Sequence, residues 1–236
     1  MNASNETGES DRPASPPGRA EVLRRPVVVF DCDGVIVDSN EIKTEGFARA
    51  VEGYGPEAVD AFVAYHRAHG GLSRYRKFEH FFRTVVGIAR YEDEMDRALV
   101  AFEAAVVSAM LDCPLVPGVL DLLRELSGER VPCFVVSGSD QAELRGILAR
   151  RGLDVFFRGI FGSPASKAER VGVVLRSLAM SGEGGILFGD ALIDMETAVE
   201  FGMTPVFVSG FTLWAEGDEF CRVQGWPQIR DFTELQ

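Results

Sequence analysis

Asp31 and Asp33 stand two residues apart, with Gly34 directly behind them, after the apolar run Val27-Val28-Val29-Phe30. Four apolar residues, three of them β-branched, predict a buried strand, and the acids begin where that strand should end. At the carboxyl edge of a parallel strand, carboxylates face the crevice in which open α/β sheets bind ligands. The glycine lets the chain turn behind them. Two other readings of these residues are a solvated acidic turn and a calcium loop. The calcium loop fits poorly, because its glycine belongs at the sixth position and here it follows the second acid.

Three more predicted strand ends or loops carry polar groups of complementary kinds. Phe134-Val135-Val136-Ser137-Gly138-Ser139 ends in hydroxyls around a glycine. Backbone N–H groups at the start of the following helix could there approach an anion, although an ordinary strand-to-helix turn has the same composition. Gly162-Ser163-Pro164-Ala165-Ser166-Lys167 sets a cation near a helix N-terminus, where the dipole does not favour it. Leu187-Phe188-Gly189-Asp190-Ala191-Leu192-Ile193-Asp194 puts two acids at i and i+4, facing the same way once a helix begins. Asp190 as a simple N-cap is the alternative. Three or four carboxylates around one point repel and raise each other's pKa unless a cation sits among them. Hard oxygen donors with water left over suit Mg²⁺. Such a metal, with a lysine and a serine, would bind a phosphoryl group that an aspartate could attack, which is covalent catalysis through an aspartyl phosphate.

The elements that must position these groups alternate. Val119 to Leu126 reads as a helix, Cys133 to Val136 as a strand, Gln141 to Arg150 as a helix and Phe156 to Phe161 as a short strand. Ala168 to Ala179 is helical, Ile186 to Phe188 a strand, Leu192 to Phe201 a helix and Pro205 to Val208 the last clear strand. Strands alternating with helices imply βαβ units, a parallel sheet and right-handed crossovers. Residues from about 40 to 112 contain no convincing strand. Ala58 to His69 places Phe62, Tyr65, His66 and His69 on one helical face, and Met95, Leu99, Phe102, Val106 and Met110 recur with helical period. The two histidines read as exposed or core-capping. A helical block behind the first strand predicts an inserted domain over 39–114, between core segments 25–38 and 115–236, with Pro114 and Val116-Pro117-Gly118 as the return hinge. Residues 1–24 are polar and proline-bearing and are expected to form a disordered tail. Residues 210–236 give only a closing element near Asp231 to Leu235.

A formal net charge of -12 argues against a nucleic-acid or anionic-membrane partner and requires any anionic substrate to be drawn in by a local cationic pocket or a metal. Cys32, Cys113, Cys133 and Cys221 form no CxxC pair, which suits buried thiols of a reducing compartment. No run approaches a membrane span and the N-terminus lacks a signal pattern, so the expected location is cytoplasmic.

Taken together, Asp31-x-Asp33-Gly34 with Asp38, Ser137 ending a strand, Lys167, and Gly189-Asp190-x-x-x-Asp194 resemble the four motifs of the haloacid dehalogenase-like hydrolase superfamily, in order and spacing, over about residues 27 to 208. The helical insert resembles that superfamily's C1-type cap, in the branch holding phosphoglycolate phosphatases and β-phosphoglucomutases. The resemblance implies a Rossmann-like α/β core with a helical cap. It implies Asp31 as nucleophile, Asp33 as general acid/base, and Ser137 and Lys167 as holders of the transferring phosphoryl oxygens. It further implies Mg²⁺ bound by Asp31, the Asp33 carbonyl and Asp190, with Asp194 completing the shell and orienting Lys167. The superfamily's true dehalogenases lack the second acid of the first motif; Asp33 is present, which favours phosphate chemistry. Cys32 stands where an aromatic is common. Lys167 lies outside the usual Lys-Pro-x-Pro loop and is preferred to Arg158 or Arg170 because it falls just before a helix.

Within the insert, Gly71-Leu72-Ser73-Arg74 resembles the Gly-x-Ser-Arg loop by which phosphoglucomutase-type caps touch substrate. A Gly-Gly turn leading into Ser73 and the nearby cations Arg74, Arg76 and Lys77 is an anion-facing helix start, though a solvated basic turn would look alike. Arg74 is the first candidate for a substrate contact and Lys77 the second, with Gly138 and Ser139 on the core side. The implied activity is a Mg²⁺-dependent phosphatase of a small phosphorylated metabolite, plausibly a sugar phosphate, acting as a monomer or homodimer. A phosphosugar mutase of the β-phosphoglucomutase kind is the alternative, and a non-catalytic binding protein on the same fold is the third reading.

Overall fold

A computed structural model describes residues 15–236. Strand β1 (Val28–Phe30) lies inside a six-stranded sheet of order β3-β2-β1-β4-β5-β6, in which every pairing is parallel. Its neighbours are β2 (Cys133–Asp140) and β4 (Ile186–Gly189), with Phe30 opposite Val135 on one side and Phe188 on the other. Successive residues serve opposite faces: Val28 and Phe30 enter one apolar cluster, Val27 and Val29 the other. That double burial is why the run is apolar without alternation. The chain passes from β1 to β2 on one side and later to β4 on the other, so a crevice opens beyond the carboxyl end of β1, where ligands bind in sheets of this kind.

The rest of the sheet is β3 (Gly159–Ser163), β5 (Thr204–Val208) and the two-residue β6 (Gln228–Ile229). Helices α6 (Val119–Gly128), α7 (Gln141–Arg150), α8 (Lys167–Ser177), α9 (Leu192–Glu200) and α10 (Gly217–Gln224) connect or flank the strands. Between β1 and α6 stands the predicted helical insert: α2 (Asn40–Ala50), α3 (Pro56–Ala68), α4 (Arg74–His80), prolonged by a π-helical turn over Phe81–Val86, and α5 (Glu92–Asp112). Phe47, Phe62, Phe78, Phe81, Phe82 and Phe102 fill its centre, with Phe62 in ring contact with Phe47, Phe78 and Phe81. The two chain passages joining insert to sheet are stitched together: Asp38 N–H donates to Pro114 C=O (2.9 Å) and Val116 N–H to Ile36 C=O (3.0 Å). Among the described residues no helix is long and apolar enough to cross a membrane.

The sequence reading needs correction in three places. Order begins earlier than residue 25: Arg19–Val22 form a helical turn, α1, with Val22 buried, Arg19 paired to Glu125 (2.8 Å) and Arg19 N–H bonded to Gln236 C=O (2.7 Å). Residues 1–14 of the expected tail lie outside the described residues. The strand expected over Phe156 to Phe161 starts at Gly159, because Asp154–Phe156 make a 3₁₀ turn that packs Phe156 and Phe157 under the sheet. The unplaced C-terminal stretch supplies α10 and β6, and Trp214 and Trp226 pack around Met195, Phe207 and Cys221. The closing element is a 3₁₀ turn at Phe232–Glu234.

Truncating Phe62 to alanine should lower unfolding free energy by about 3–5 kcal/mol, as for a fully buried aromatic. Val100→Ala on α5, at a position 69% exposed, should change it by less than about 0.5 kcal/mol. Urea unfolding curves of the two variants check this pair.

Candidate active site

Asp31, Asp190 and Lys167 stand at element boundaries, whereas Ser137, expected to end a strand, lies inside β2, which runs on to Asp140 past a register shift after Val136. Asp31 follows β1 directly, and its N–H donates to Phe188 C=O on β4 (2.9 Å), which anchors the residue at the sheet's edge. The residue is 2% exposed. Asp190 follows β4, and Asp194 lies in the first turn of α9, where its carboxylate accepts the Ala191 N–H (3.2 Å). Oxygens of Asp31, Asp190 and Asp194 lie within 4.8 Å of one another, all three residues buried. Gly34 closes the turn at φ +73°, and a Cβ there would stand 2.4 Å from an Asp190 oxygen, so only glycine fits beside this cluster.

Lys167, the first residue of α8, reaches in from a capping box built by Ser166 and Glu169. The residue is 4% exposed, and its ammonium bonds Asp194 and lies 3.1 Å from Asp31 Oδ1. Arg158 is exposed and Arg170 holds the Gly162 carbonyl, so neither competes for this place. Three carboxylates against one ammonium leave two negative charges uncompensated in a dry environment. The consequence is visible in the ionisation. Burial, offset in part by Lys167 and reinforced by Asp194 and Asp33, pushes Asp31 up to about 7. Burial and the two neighbouring acids push Asp190 well above the carboxylate range, and burial raises Asp194. Asp31 Oδ1 has only the Lys167 ammonium, 3.1 Å away, beside it among the described residues. Three buried carboxylates within 4.8 Å of one another, an all-oxygen donor set with an excess of two negative charges over Lys167, fit a divalent cation with hard-ligand preference.

Asp33 lives in the opposite environment. Its Oδ1 accepts from Ser39 Oγ (2.6 Å), and its Oδ2 from Ser139 Oγ (2.9 Å) and from the Lys43 ammonium, which forms an ion pair with it at 2.5 Å. Burial pushes this carboxyl up, but Lys43 and the hydroxyl donors outweigh burial and hold it down at about 2. Ser137 Oγ donates to Ser139 Oγ (3.2 Å) and accepts the Ser139 N–H (3.2 Å), which ties the β2 end into the same network. Gly138 carries the insert's loop: a Cβ there would come within 2.3 Å of Gly71 C=O.

From the insert, Arg74 and Lys77 arrive buried on α4, whereas Ser73 caps that helix through the Arg76 N–H (3.4 Å). Arg74 is paired with Glu143 of α7 at 2.7 Å and lies over Phe102, and its neighbour Tyr75 donates to Asp140 Oδ2 (2.9 Å). A narrow cavity of about 40 Å³ is lined by Asp31, Asp33 and Asp190 from the core and by Lys43, Arg74 and Lys77 from the insert. A wide cleft of about 790 Å³, lined by Ser73, Arg76, Gly138 and Lys167, adjoins it across Gly71 and Leu72.

Sequence reasoning missed the face of α2. Asn40, Lys43, Thr44 and Phe47 follow at i, i+3, i+4 and i+7, and Asn40 Nδ2 donates to Asp190 Oδ2 (2.7 Å) while Lys43 holds Asp33. The signal was that stripe, continued by an aromatic. His66 is buried beside the site, while His69 is exposed and hydrogen-bonds the Tyr65 carbonyl. Glu143 was not singled out.

A parallel sheet with an acid-bearing switch point and a helical insert over it defines a class, and residues 28–208 match the haloacid dehalogenase-like hydrolases; the chain belongs to that family. Among curated relatives, a "Probable pseudouridine-5'-phosphatase" of Saccharomyces cerevisiae is 26% identical over 142 residues, 57% of this chain and 57% of that protein, so the match spans under three-fifths of the relative's length. The solved β-phosphoglucomutase of Clostridium difficile shares the fold with a TM-score of 0.73 at 16% identity, over 90% of this chain and 93% of that one. A predicted phosphoglycolate phosphatase from Haemophilus somnus superposes with a TM-score of 0.70 at 17% identity, over 89% and 96%.

Two measurements test the electrostatics. Asp31 is raised in the folded state from 3.8 to about 7, so without a cation it costs stability as pH rises through that interval. Mg²⁺ at a hundred times its Kd should therefore raise Tm on the order of 5 °C at pH 7.5 and markedly less at pH 5. Asp33 is depressed from 3.8 to about 2, so its contribution, about 2 kcal/mol, is complete above its ordinary pKa and lost as pH falls to the lower value. In urea unfolding with chelator present, the stability gap between wild type and Asp33→Asn should narrow from pH 5 to pH 3. An unchanged gap would show that Asp33 is not held ionised.

Proposed function

We propose that the chain is a Mg²⁺-dependent phosphatase that hydrolyses a small phosphorylated metabolite through an aspartyl phosphate on Asp31. The observation that carries this reading is the contrast between two acids two residues apart. Asp31 is buried in an acidic cluster beside Lys167, and Asp33 is held ionised by Lys43, Ser39 and Ser139. Environments that push paired carboxyls apart assign them different roles. Asp31, Asp190 and Asp194 would hold the metal, with the Asp33 carbonyl as the fourth donor the resemblance implies. The metal would supply charge compensation that keeps Asp31 ionised and offsets the phosphoryl oxygens.

In the first half-reaction a carboxylate oxygen of Asp31 forms a bond to phosphorus as the ester P–O bond breaks. The leaving oxygen takes its proton from Asp33. A phosphoryl anion arriving next to Asp33 raises that carboxyl's proton affinity, which is how a group held low in the empty site can carry the proton. In the second half Asp33, ionised again, takes a proton from water as the water oxygen attacks phosphorus and Asp31 is released. Lys167 neutralises phosphoryl oxygens throughout, and the Ser137 hydroxyl with the Gly138 N–H would receive them from β2. The four cysteines, free and buried, suit a reducing cytoplasm. The insert over residues 39–114 is read as the cap that excludes water.

Hydrolysis of p-nitrophenyl phosphate should require Mg²⁺, stop with chelator, and fall on the order of a thousandfold or more in Asp31→Asn. Equal rates in variant and wild type would remove Asp31 as nucleophile. With hexose phosphates, release of inorganic phosphate supports hydrolysis, and interconversion of 1- and 6-phosphates without release would convert the reading to a mutase.

A further inference from the structure

All three acids of the cluster come from the core segments, but one of them is held from the insert. Asn40, the first residue of α2, donates from Nδ2 to Asp190 Oδ2 and to Phe211 C=O, both at 2.7 Å. Both N–H bonds of the amide are thereby used, and they fix its orientation. Turned over, the amide would set its own oxygen against a carboxylate and a carbonyl, two acceptors with no proton to offer. The main chain of Asp190 is pinned as well: Thr212 Oγ1 donates to Asp190 C=O and accepts the Trp214 N–H (2.9 Å). Gly34 closes a further side, since a Cβ there would stand 2.5 Å from Asn40 Nδ2 and 2.4 Å from Asp190 Oδ2.

With Oδ2 engaged and walled, Asp190 has Oδ1 to offer a cation. Its neighbours are engaged in a similar way. Asp31 Oδ1 lies 3.1 Å from the Lys167 ammonium, and Asp194 gives one oxygen to Lys167 and the other to the Ala191 N–H. A cation here therefore meets few protein oxygens and would complete its shell with water. Mg²⁺ takes about six ligands in a near-octahedral shell and keeps several waters, whereas Ca²⁺ takes about six to eight oxygens and readily uses both oxygens of one carboxylate. A carboxylate tied through one oxygen to a fixed amide cannot turn to offer both without giving up that bond.

We propose that Asn40 is a positioning residue that holds Asp190 to one-oxygen ligation and thereby selects Mg²⁺ over Ca²⁺. The inference rests on the metal-dependent phosphatase reading above and concerns which ion the site prefers. Lys167 acts on the cluster by its charge, which bears on every divalent cation alike. The Asn40 amide is neutral, so its effect is on the direction of a ligand and falls unequally on ions of different size and coordination. The metal site is in this sense completed by the insert, although its three acids are not.

Displacement of bound Mn²⁺ by Mg²⁺ and by Ca²⁺, followed by electron paramagnetic resonance on the full chain without substrate, tests this. The ratio of the two displacing concentrations does not depend on the affinity for Mn²⁺. In wild type Mg²⁺ should displace Mn²⁺ at concentrations no higher than Ca²⁺ needs. In Asn40→Ala the tie is lost, and the ratio should shift about tenfold toward Ca²⁺, mostly because Mg²⁺ binds more weakly, the size expected when a metal ligand loses its hydrogen-bond partner. Asn40→Asp keeps the size, removes the donor and adds oxygens; the ratio should shift the same way, here because Ca²⁺ binds more tightly. A role in folding alone would weaken both ions alike and leave the ratio where it was. An unchanged ratio in either variant overturns the selection by Asn40 and leaves the phosphatase reading standing. If neither variant folds, wild type decides: Ca²⁺ displacing Mn²⁺ at lower concentration than Mg²⁺ overturns the proposal. No binding of any of the three ions overturns both.

Discussion

Crowding of acid at the dry end of a parallel sheet governs this molecule. Asp31, Asp190 and Asp194 cannot all ionise together in the absence of cations, and the surrounding elements can be understood as answers to that repulsion. Helix α8 begins with the lysine that enters the cluster. The turn after β1 uses a residue without a side chain because Asp190 occupies the space. Helix α2 brings an amide to Asp190 and an ammonium to Asp33. None of these features stabilises the fold for its own sake; a hydrophobic cluster of the same volume would be cheaper to bury. Their cost makes sense only if charge is to be moved at this point.

The two acids of the first motif illustrate how one short turn creates two environments. Asp31 faces other carboxylates and is pushed toward neutrality, while Asp33 faces a lysine and two hydroxyls and is kept charged. Sequence separation of two residues after a strand turns the side chains into different surroundings, so near-identical groups acquire different proton affinities. The insert is as much a part of this division as the sheet, since Lys43 and Ser39 both belong to the passage leading into it.

What could be read from sequence was what the backbone period writes into composition. The strands carry apolar runs because both sheet faces are covered, and Gln141–Arg150 appears as the helix expected from its spacing. The acids and Lys167 were legible because each stands at an element boundary, and Ser137 because the apolar run of β2 gives way to polar residues there. The polar face of α2 was not, because Asn40, Lys43 and Thr44 look like solvated helix until Asp33, Asp190 and His66 are known to face them. The Arg74–Glu143 contact likewise joins two helices distant in sequence, and no local period reports it. Strand β6, two residues long, lies below what alternation can signal.

The stitched passages at Ile36 to Asp38 and Pro114 to Val116 have an evolutionary corollary. Because the chain departs from and rejoins the sheet at adjacent points, whatever is spliced between them leaves strand order and register untouched. Sheet and insert are therefore heritable as separate parts: the insert can be rewritten while the acid cluster at the strand ends descends unaltered.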